Sequence, residues 1–174
     1  MVEPTAIKLL IFDVDGVLTD GAIYVNDLGI ETKRFNVRDG FAIKAAPTLG
    51  LKIGVLTGRS TPAVTLRMAE LDVDLVLQGS HQKADGLRDL CRKAAVTPHE
   101  TAYVGDDLID LPAMGCCGYP IAVADACPQV LAAARYVTRA AGGSGAGREA
   151  IEHILERQGR WAQLLSRYAQ AGNP

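Results

Sequence analysis

The feature that most constrains the fold of this chain is an apolar run near its N-terminus that ends in two carboxylates. Residues 7–12 are apolar except for Lys8, and Asp13, Asp15 and Gly16 follow directly. A strand that is buried on both faces has this pattern, as in a parallel sheet covered by helices on both sides. Ligands of open α/β sheets bind beyond the carboxyl ends of the strands, so the sequence predicts that Asp13 and Asp15 lie in a functional site.

Two neighbouring carboxylates restrict what this site can do. They raise each other's pKa unless a cation lies between them, and Mg²⁺ fits because it prefers oxygen ligands. A carboxylate can also attack phosphorus as a nucleophile. The alternative is a surface turn, in which Asp and Gly are common.

Composition excludes several classes of protein. The 174 residues suffice for one domain, and with 48% hydrophobic but only 5% aromatic residues the core must be aliphatic, as in a layered α/β fold. The net charge of -2 and the lack of a long basic run predict no nucleic-acid or anionic-membrane partner. We see no signal peptide or membrane span, and none of the four cysteines has C-x-x-C spacing, so we expect a cytoplasmic protein with reduced thiols.

Further apolar runs alternate with helical patterns along the chain. The first predicted helix runs roughly from Phe41 to Leu49, and a second begins at Pro62 with Thr61 as its N-cap. This alternation predicts an α/β fold, a single Rossmann-like domain over residues 1–174 with a parallel sheet. The further strands are predicted at 52–56, 75–77, 101–104, 121–123 and 136–138.

Two segments stand apart from this alternation. Residues 22–35 predict a β-hairpin, either a flap over the site or a subunit contact, and its apolar Ile23, Tyr24 and Val25 favour the contact. Residues 139–149 are rich in glycine, typical of a flexible linker or of a mobile loop that closes on an anion with Arg148. We therefore expect a mobile C-terminal segment over residues 139–174, with a frayed end.

Polar residues that follow the other strands suit phosphoryl transfer. Thr57 precedes a helix start and predicts either a phosphate contact or simple capping. Lys83 opens another helix, where a cation opposes the helix dipole unless it serves an anion. Asp106, with Asp107 and Asp110, forms a second acidic cluster. In this interpretation Asp13 attacks phosphorus, while Asp15 protonates the leaving oxygen and later activates water.

These residues together resemble the four motifs of the haloacid dehalogenase superfamily: Asp13-Val14-Asp15-Gly16-Val17, Thr57-Gly58-Arg59, Lys83 and Gly105-Asp106-Asp107-x-x-Asp110. The chain also resembles, from about Lys8 to about Glu156, the family of 3-deoxy-D-manno-octulosonate 8-phosphate phosphatases. That second resemblance rests on segments 15–21, 35–40, 78–79, 103–110 and 137–149.

The resemblance implies specific roles and an assembly. Asp13 would be the phosphorylated nucleophile and Asp15 the acid/base; Asp13, the backbone oxygen of Asp15, and Asp106 would bind Mg²⁺. Asp107 and Asp110 would support that metal, and Thr57 and Lys83 would hold the phosphate. The substrate would be a small sugar phosphate, the domain would lack a large cap, and the assembly would be a homotetramer joined through hairpins 22–35. Three arginines outside the best-matched motif positions would hold the carboxylate or the phosphate of the substrate: Arg38, Arg59 and Arg148.

Two alternatives remain open at this point. The same chemistry suits a related sugar acid phosphate, such as a nine-carbon 9-phosphate. The same fold also serves as a non-catalytic oligomerisation module, although every motif residue of the enzyme is present in this sequence.

Overall fold

The computed structural model describes residues 2–170, so the end of the chain at 171–174, predicted to fray, lies outside the described residues. Six parallel strands form one sheet, and two short antiparallel strands form a separate hairpin. The sheet consists of β1 (Leu9–Phe12), β4 (Lys52–Leu56), β5 (Leu75–Leu77), β6 (Thr101–Gly105), β7 (Tyr119–Ala122) and β8 (Tyr136–Val137). The hairpin consists of β2 (Tyr24–Val25) and β3 (Glu31–Thr32).

Seven helices connect and cover these strands in the described part of the chain. They are α1 (Val37–Ala45), α2 (Pro62–Glu70), α3 (Lys83–Ala94), α4 (Leu111–Cys116), α5 (Pro128–Ala133), α6 (Ala146–Arg157) and α7 (Trp161–Gln170). Short 3-10 turns add Pro4–Ala6, Ala46–Leu49, Pro98–Glu100 and Leu108–Asp110. The predicted fold class, an α/β domain with a parallel sheet and no large cap, is confirmed.

The strand order β5-β4-β1-β6-β7-β8 puts β1 in the middle of the sheet. The chain first winds outward from β1 to β5, then returns to β6 and winds outward the other way. Right-handed crossovers therefore place α1 and α2 on one face and α3, α4 and α5 on the other. The direction reverses between β1 and β6, and at such a point the loops diverge and leave a crevice at the carboxyl ends of the strands.

The sheet is the core of the molecule. All four residues of β1 have no exposed surface, which agrees with an apolar run covered on both faces. Helix α6, which lies within the segment 139–174, contributes five fully buried side chains and is therefore part of this core. Those five residues are Ala146, Ala150, Ile151, Ile154 and Leu155.

The first helix differs from its predicted bounds. It begins at Val37 rather than Phe41, because Asn36 caps it by accepting a hydrogen bond from the Arg38 backbone N–H at 2.8 Å. It ends at Ala45, and the chain continues as a 3-10 turn that contains Pro47. Proline lacks the N–H that an α-helix requires, which accounts for the change.

None of the helices among the described residues combines the length and the apolar character that crossing a bilayer requires.

Candidate active site

Side chains from three neighbouring strand ends line one cleft of about 240 Å³. Asp13 follows β1, Thr57 follows β4 and Asp106 follows β6, and all three contribute to the cleft wall with Asp15 and Arg59. Strands β4 and β6 flank β1, and Phe12 is in register with Val55 and Val104. The three strands therefore end within one residue of the same level. The fold therefore brings the predicted motif residues together.

Two buried oxygens in this cleft accept no hydrogen bond from any residue between 2 and 170. They are Asp13 Oδ1 and Asp106 Oδ1, and ligand atoms of Asp13, Asp106 and Asp110 lie within 4.8 Å of one another. A buried carboxylate oxygen without a partner is costly, and a hard divalent cation with oxygen ligands removes that cost. The residues present therefore fit Mg²⁺.

A glycine allows the two carboxylate-bearing loops to approach each other. Gly16 follows the Asp13–Asp15 pair with a φ of +86°, and a Cβ at this position would lie 2.0 Å from Asp106 Oδ2. Only glycine fits such a close approach and also accepts this backbone conformation without strain.

Asp110 is fully buried, and four hydrogen bonds occupy its carboxylate. Its Oδ1 accepts from Lys83 Nζ at 3.0 Å and from the Tyr103 hydroxyl at 2.7 Å. Its Oδ2 accepts from the backbone N–H groups of Asp106 and Asp107 at 3.0 and 3.3 Å. Because its oxygens already have partners, Asp110 is arranged to hold Lys83 and the Asp106 loop in place rather than to give up an oxygen to a metal.

Lys83 begins α3 but points into the end of the sheet, where its side chain is 1% exposed. Its ammonium group donates to Leu56 O at 3.1 Å, to the Tyr103 hydroxyl at 3.2 Å and to Asp110 Oδ1. These bonds use all three protons of the group. The same ammonium group lies 2.8 Å from Asp13 Oδ1 and forms a second buried ion pair there.

The electrostatics of the cleft favour the arrival of a cation. Burial, and then the charge of Asp110, raise the pKa of Asp13 to about 7, although Lys83 opposes the shift. Burial, followed by the charges of Asp110 and Asp13, raises the pKa of Asp106 to about 8. A bound divalent cation favours the ionised carboxylates, so metal and protons compete for this cleft.

Thr57 lies beside these carboxylates and is 2% exposed. Its Oγ1 accepts a hydrogen bond from the Arg59 backbone N–H at 3.4 Å. The N-cap of α2 is Thr61, whose Oγ1 accepts from Val64 N at 3.4 Å, so capping does not require Thr57. The hydroxyl of Thr57 is therefore available to a ligand in the cleft.

The hairpin contributes two charged residues that the sequence analysis missed. Lys33 forms an ion pair with Asp15 and another with Glu31 at 2.9 Å, and Arg59 contacts Glu31 at 2.5 Å. Glu31 and Lys33 are two residues apart, so an extended segment projects both from one face. That spacing was a signal for a shared surface, but nothing local named Asp15 as their partner.

The glycine-rich loop packs against the loop that carries Asp13 and Asp15. Gly143 N donates to Val17 O at 3.0 Å, and Gly142 packs so closely that its Cβ would lie 1.8 Å from Gly16 O. The carboxylate of Glu149 accepts hydrogen bonds from the backbone N–H groups of 139 and 140, which fixes the start of the segment. The loop is thus in contact with the candidate site of its own chain.

Arg38 and Arg148 lie elsewhere. They line a cleft of about 400 Å³ that shares no lining residue with the cleft of Asp13. The guanidinium of Arg148 lies 4.9 Å from the centre of the Trp161 ring and pairs with Glu152. Within one chain, therefore, the structure does not bring these two arginines to Asp13 and Asp15, whereas it does bring Arg59.

Comparison with known proteins identifies relatives of this chain. The family model of haloacid dehalogenase-like hydrolases matches residues 76–147. The 3-deoxy-D-manno-octulosonate 8-phosphate phosphatase of Escherichia coli (strain B / BL21-DE3) is 47% identical over 160 residues, which cover 92% of this chain and 85% of the relative.

Two solved structures are similar in fold as well as in sequence. A cobalt-bound deoxy-D-mannose-octulosonate 8-phosphate phosphatase from Haemophilus influenzae has a TM-score of 0.87 and 43% identity, over 90% of this chain and 91% of that chain. The 3-deoxy-D-manno-octulosonate 8-phosphate phosphatase of Moraxella catarrhalis, in complex with a magnesium ion, a phosphate ion and a KDO molecule, has a TM-score of 0.92 and 38% identity, over 95% of each chain.

Proposed function

Because this chain belongs to the family of 3-deoxy-D-manno-octulosonate 8-phosphate phosphatases among the haloacid dehalogenase-like hydrolases, we propose that it catalyses the reaction for which the family is named. It is a phosphoric monoester hydrolase that uses Mg²⁺ and releases phosphate and the free sugar acid, a step towards lipopolysaccharide. The observation that carries the proposal is the cleft lined by Asp13, Thr57 and Asp106. The buried Asp110 has a carboxylate oxygen within 4.8 Å of those of Asp13 and Asp106, and Lys83 forms an ion pair with Asp13.

Asp13 is the nucleophile in this proposal. One of its oxygens bonds to phosphorus while the bond between phosphorus and the sugar oxygen breaks, and Asp15 gives its proton to that oxygen. In the second half of the reaction water bonds to phosphorus, the bond from Asp13 to phosphorus breaks, and Asp15 takes the proton of the water. The position of Asp13 supports this role, because the residue directly follows β1 and lines the cleft.

The phosphate is held by residues that surround Asp13. The Lys83 ammonium group, 2.8 Å from Asp13 Oδ1, neutralises negative charge on the phosphoryl group, and the Thr57 hydroxyl donates to it. Asp13, the backbone oxygen of Asp15, and Asp106 are proposed to hold the Mg²⁺, which when bound neutralises charge on the phosphate oxygens. Asp107 and Asp110 support that arrangement.

The substrate's carboxylate end needs further cations. Arg59 lines the catalytic cleft and is proposed to contact the substrate directly. Arg38 and Arg148 lie outside that cleft in their own chain. Their proposed role therefore requires that each of them reaches the catalytic cleft of a neighbouring subunit.

We propose a homotetramer joined through the hairpin 22–35. The support is an apolar surface on the hairpin: Ile23, Val25, Leu28 and Ile30 are each more than half exposed in the single chain. A Val25→Glu variant is expected to have a lower mass by light scattering than the unchanged protein. An unchanged mass at all concentrations would contradict this assembly.

We also place the protein in the cytoplasm, because all four cysteines are free, as in a reducing compartment. Cell fractionation tests this placement, and recovery outside the cytoplasmic fraction would contradict it.

The test of the function is phosphate release with and without Mg²⁺ across a small panel. The panel holds 3-deoxy-D-manno-octulosonate 8-phosphate, a nine-carbon sugar acid 9-phosphate and simple hexose phosphates, with a chelator as control. We expect a strong preference for the eight-carbon substrate that the chelator abolishes. Preference for another sugar would overturn the substrate but keep the chemistry, and no release from any ester would favour an oligomerisation module.

A further inference from the structure

Four charged side chains form a closed ring of alternating sign at the hairpin side of the catalytic cleft. Lys33 pairs with Asp15 and with Glu31 at 2.9 Å, and Arg59 pairs with Glu31 at 2.5 Å. The ring closes through a 3.8 Å contact between Arg59 Nε and Asp15 Oδ2. The ring therefore joins β3 of the hairpin to the loops that follow β1 and β4.

The Lys33 side chain is buried although its backbone belongs to a small hairpin. The side chain is 1% exposed, whereas the Arg59 side chain at the rim of the cleft is 46% exposed. Lysine is almost never fully buried unless it is paired, and ordinary surface ion pairs contribute little because water competes for both charges. Lys33 is thus shielded from water by the two carboxylates that it joins, which distinguishes it from the exposed lysines of the chain.

Asp15 depends on Lys33 for its orientation. Within residues 2–170, the Lys33 ammonium group is the only hydrogen-bond donor to the Asp15 carboxylate, and it binds Oδ1. Among the same residues no hydrogen bond reaches the other oxygen, Oδ2, which lies 3.8 Å from Arg59 Nε, and Asp15 is one of the residues that line the cleft. A carboxylate that is held at one oxygen keeps one rotamer, so Oδ2 of Asp15 stays at a fixed position.

We propose that Lys33 is a positioning residue for the reaction: it holds Oδ1 of Asp15 so that Oδ2 exchanges the proton with the leaving sugar oxygen. Glu31 in turn holds Lys33 and Arg59 at the correct separation. This inference rests on the proposed function, since it assigns a role to Asp15 in phosphate ester cleavage. It also gives the hairpin a function inside its own subunit, besides any contact with a neighbour.

The leaving group provides the readout. p-Nitrophenolate departs from phosphorus without being protonated, whereas phenolate and alkoxides require a proton as the bond breaks. A residue that positions the proton donor therefore affects the two classes of ester differently. A residue that only maintains the fold affects both equally.

The experiment compares kcat/KM for phenyl phosphate and p-nitrophenyl phosphate in the unchanged protein and in Lys33→Met. Methionine keeps the length of the side chain and removes the ammonium group. We expect a loss of roughly ten- to a hundredfold on phenyl phosphate, a fraction of the ~10²–10⁴ that a general acid supplies, and less than about threefold on p-nitrophenyl phosphate. Lys33→Arg should recover most of the loss, because it restores a donor to Asp15.

Control variants keep the result interpretable. Lys44→Met removes an exposed lysine that pairs with Asp72 outside the cleft, and it should leave both rates unchanged. If Lys33→Met fails to fold, Glu31→Gln is the second variant. It weakens the ion pairs of Glu31 with Lys33 and Arg59 and should show the same difference between the two esters.

Two outcomes would overturn the inference: equal losses on both esters, or no loss on phenyl phosphate in a folded variant. The aryl esters carry no sugar, so a wrong sugar in the proposed function would leave this test intact. Failure of the unchanged protein to hydrolyse any phosphate ester would remove the proposed function and this inference together.

Discussion

Replacing Gly142 by alanine should disable the enzyme although Gly142 does not touch the reacting atoms. The added Cβ would lie 1.8 Å from the carbonyl oxygen of Gly16, which is in the loop between Asp15 and Val17. The Cβ is fixed by the backbone of residue 142 and the oxygen belongs to the backbone of Gly16, so no flexible side chain can move aside. Either the glycine-rich loop leaves its place or the loop that carries Asp15 shifts.

The size of the effect follows from this overlap. A carbon atom and a carbonyl oxygen normally approach no closer than about 3.2–3.5 Å, so the two loops must separate by roughly 1.5 Å. A displacement of about 1 Å at a catalytic group costs on the order of 10²-fold in rate. Overpacking should also lower the free energy of unfolding by about 1–3 kcal/mol.

Gly115→Ala is the matched control for this substitution. Gly115 lies in α4 with no atom within 4 Å of the position its Cβ would take. Alanine there should raise stability by about 0.5–1 kcal/mol and leave activity unchanged. The assay is kcat/KM for the sugar phosphate together with a thermal melt of each variant. A Gly142→Ala protein with unchanged rate and stability would refute the packing of this loop against the Asp loop.

Three further predictions concern the carboxylates of Asp39, Asp106 and Glu149. Asp106→Asn should raise the melting temperature in chelator above pH 8, because burial and neighbouring carboxylates raise the pKa of Asp106 to about 8, and it should abolish the stabilisation by Mg²⁺. Asp39 is buried with a pKa raised from 3.8 to about 6. The native state therefore binds more protons than the unfolded state between these values, and stability should fall by ~3 kcal/mol in all as pH rises from well below 4 to well above 6. Denaturation of Asp39→Asn should show a flatter pH profile. Glu149→Gln should lower stability by about 1–2 kcal/mol, measured by denaturant melts, because an amide has one acceptor oxygen for the donors of residues 136, 139 and 140.

Each of these predictions has an outcome that contradicts it. Asp106→Asn that still gains stability from Mg²⁺ would show that the metal binds without Asp106. A pH profile of Asp39→Asn that matches the unchanged protein would assign the titration to another group. Full stability of Glu149→Gln would mean that the start of the glycine-rich loop is held by other contacts.

The strand-end residues were predictable because of a general property of parallel sheets. All strands end on the same side, so Asp13, Thr57 and Asp106, each directly after an apolar run, had to meet at one edge. Lys83 was predictable for a different reason. A lysine at a helix start opposes the helix dipole, and the structure shows its compensation by Asp13 and Asp110.

Residues whose partners are distant in sequence were not predictable. The sequence pattern places Lys33 in the predicted hairpin and indicates no partner for it. Its contact with Asp15 depends on how the hairpin packs beside the cleft. Tyr103 lies within the predicted strand 101–104, and nothing in that pattern indicates that its hydroxyl joins Lys83 to Asp110. Such contacts arise from the tertiary arrangement rather than from local spacing.

The start of α1 was missed although its signal was present. Asn36 is a favoured N-cap residue, and Asp39 lies in the first turn of the helix, where a negative charge is favourable. Arg38 and Arg148 meet at a second cleft because α1 packs against α6, a pairing that no local pattern indicates.

Rapid acid quenching can show directly whether Asp13 carries the phosphoryl group during turnover. The unchanged protein is mixed with Mg²⁺ and 3-deoxy-D-manno-octulosonate 8-phosphate labelled in its phosphate, quenched, digested and mapped. We expect transient label on the peptide that contains Asp13, stable in acid and lost in alkali, and neither label nor phosphate release in a folded Asp13→Asn variant. Label on a different residue, or undiminished phosphate release by Asp13→Asn, would contradict the mechanism.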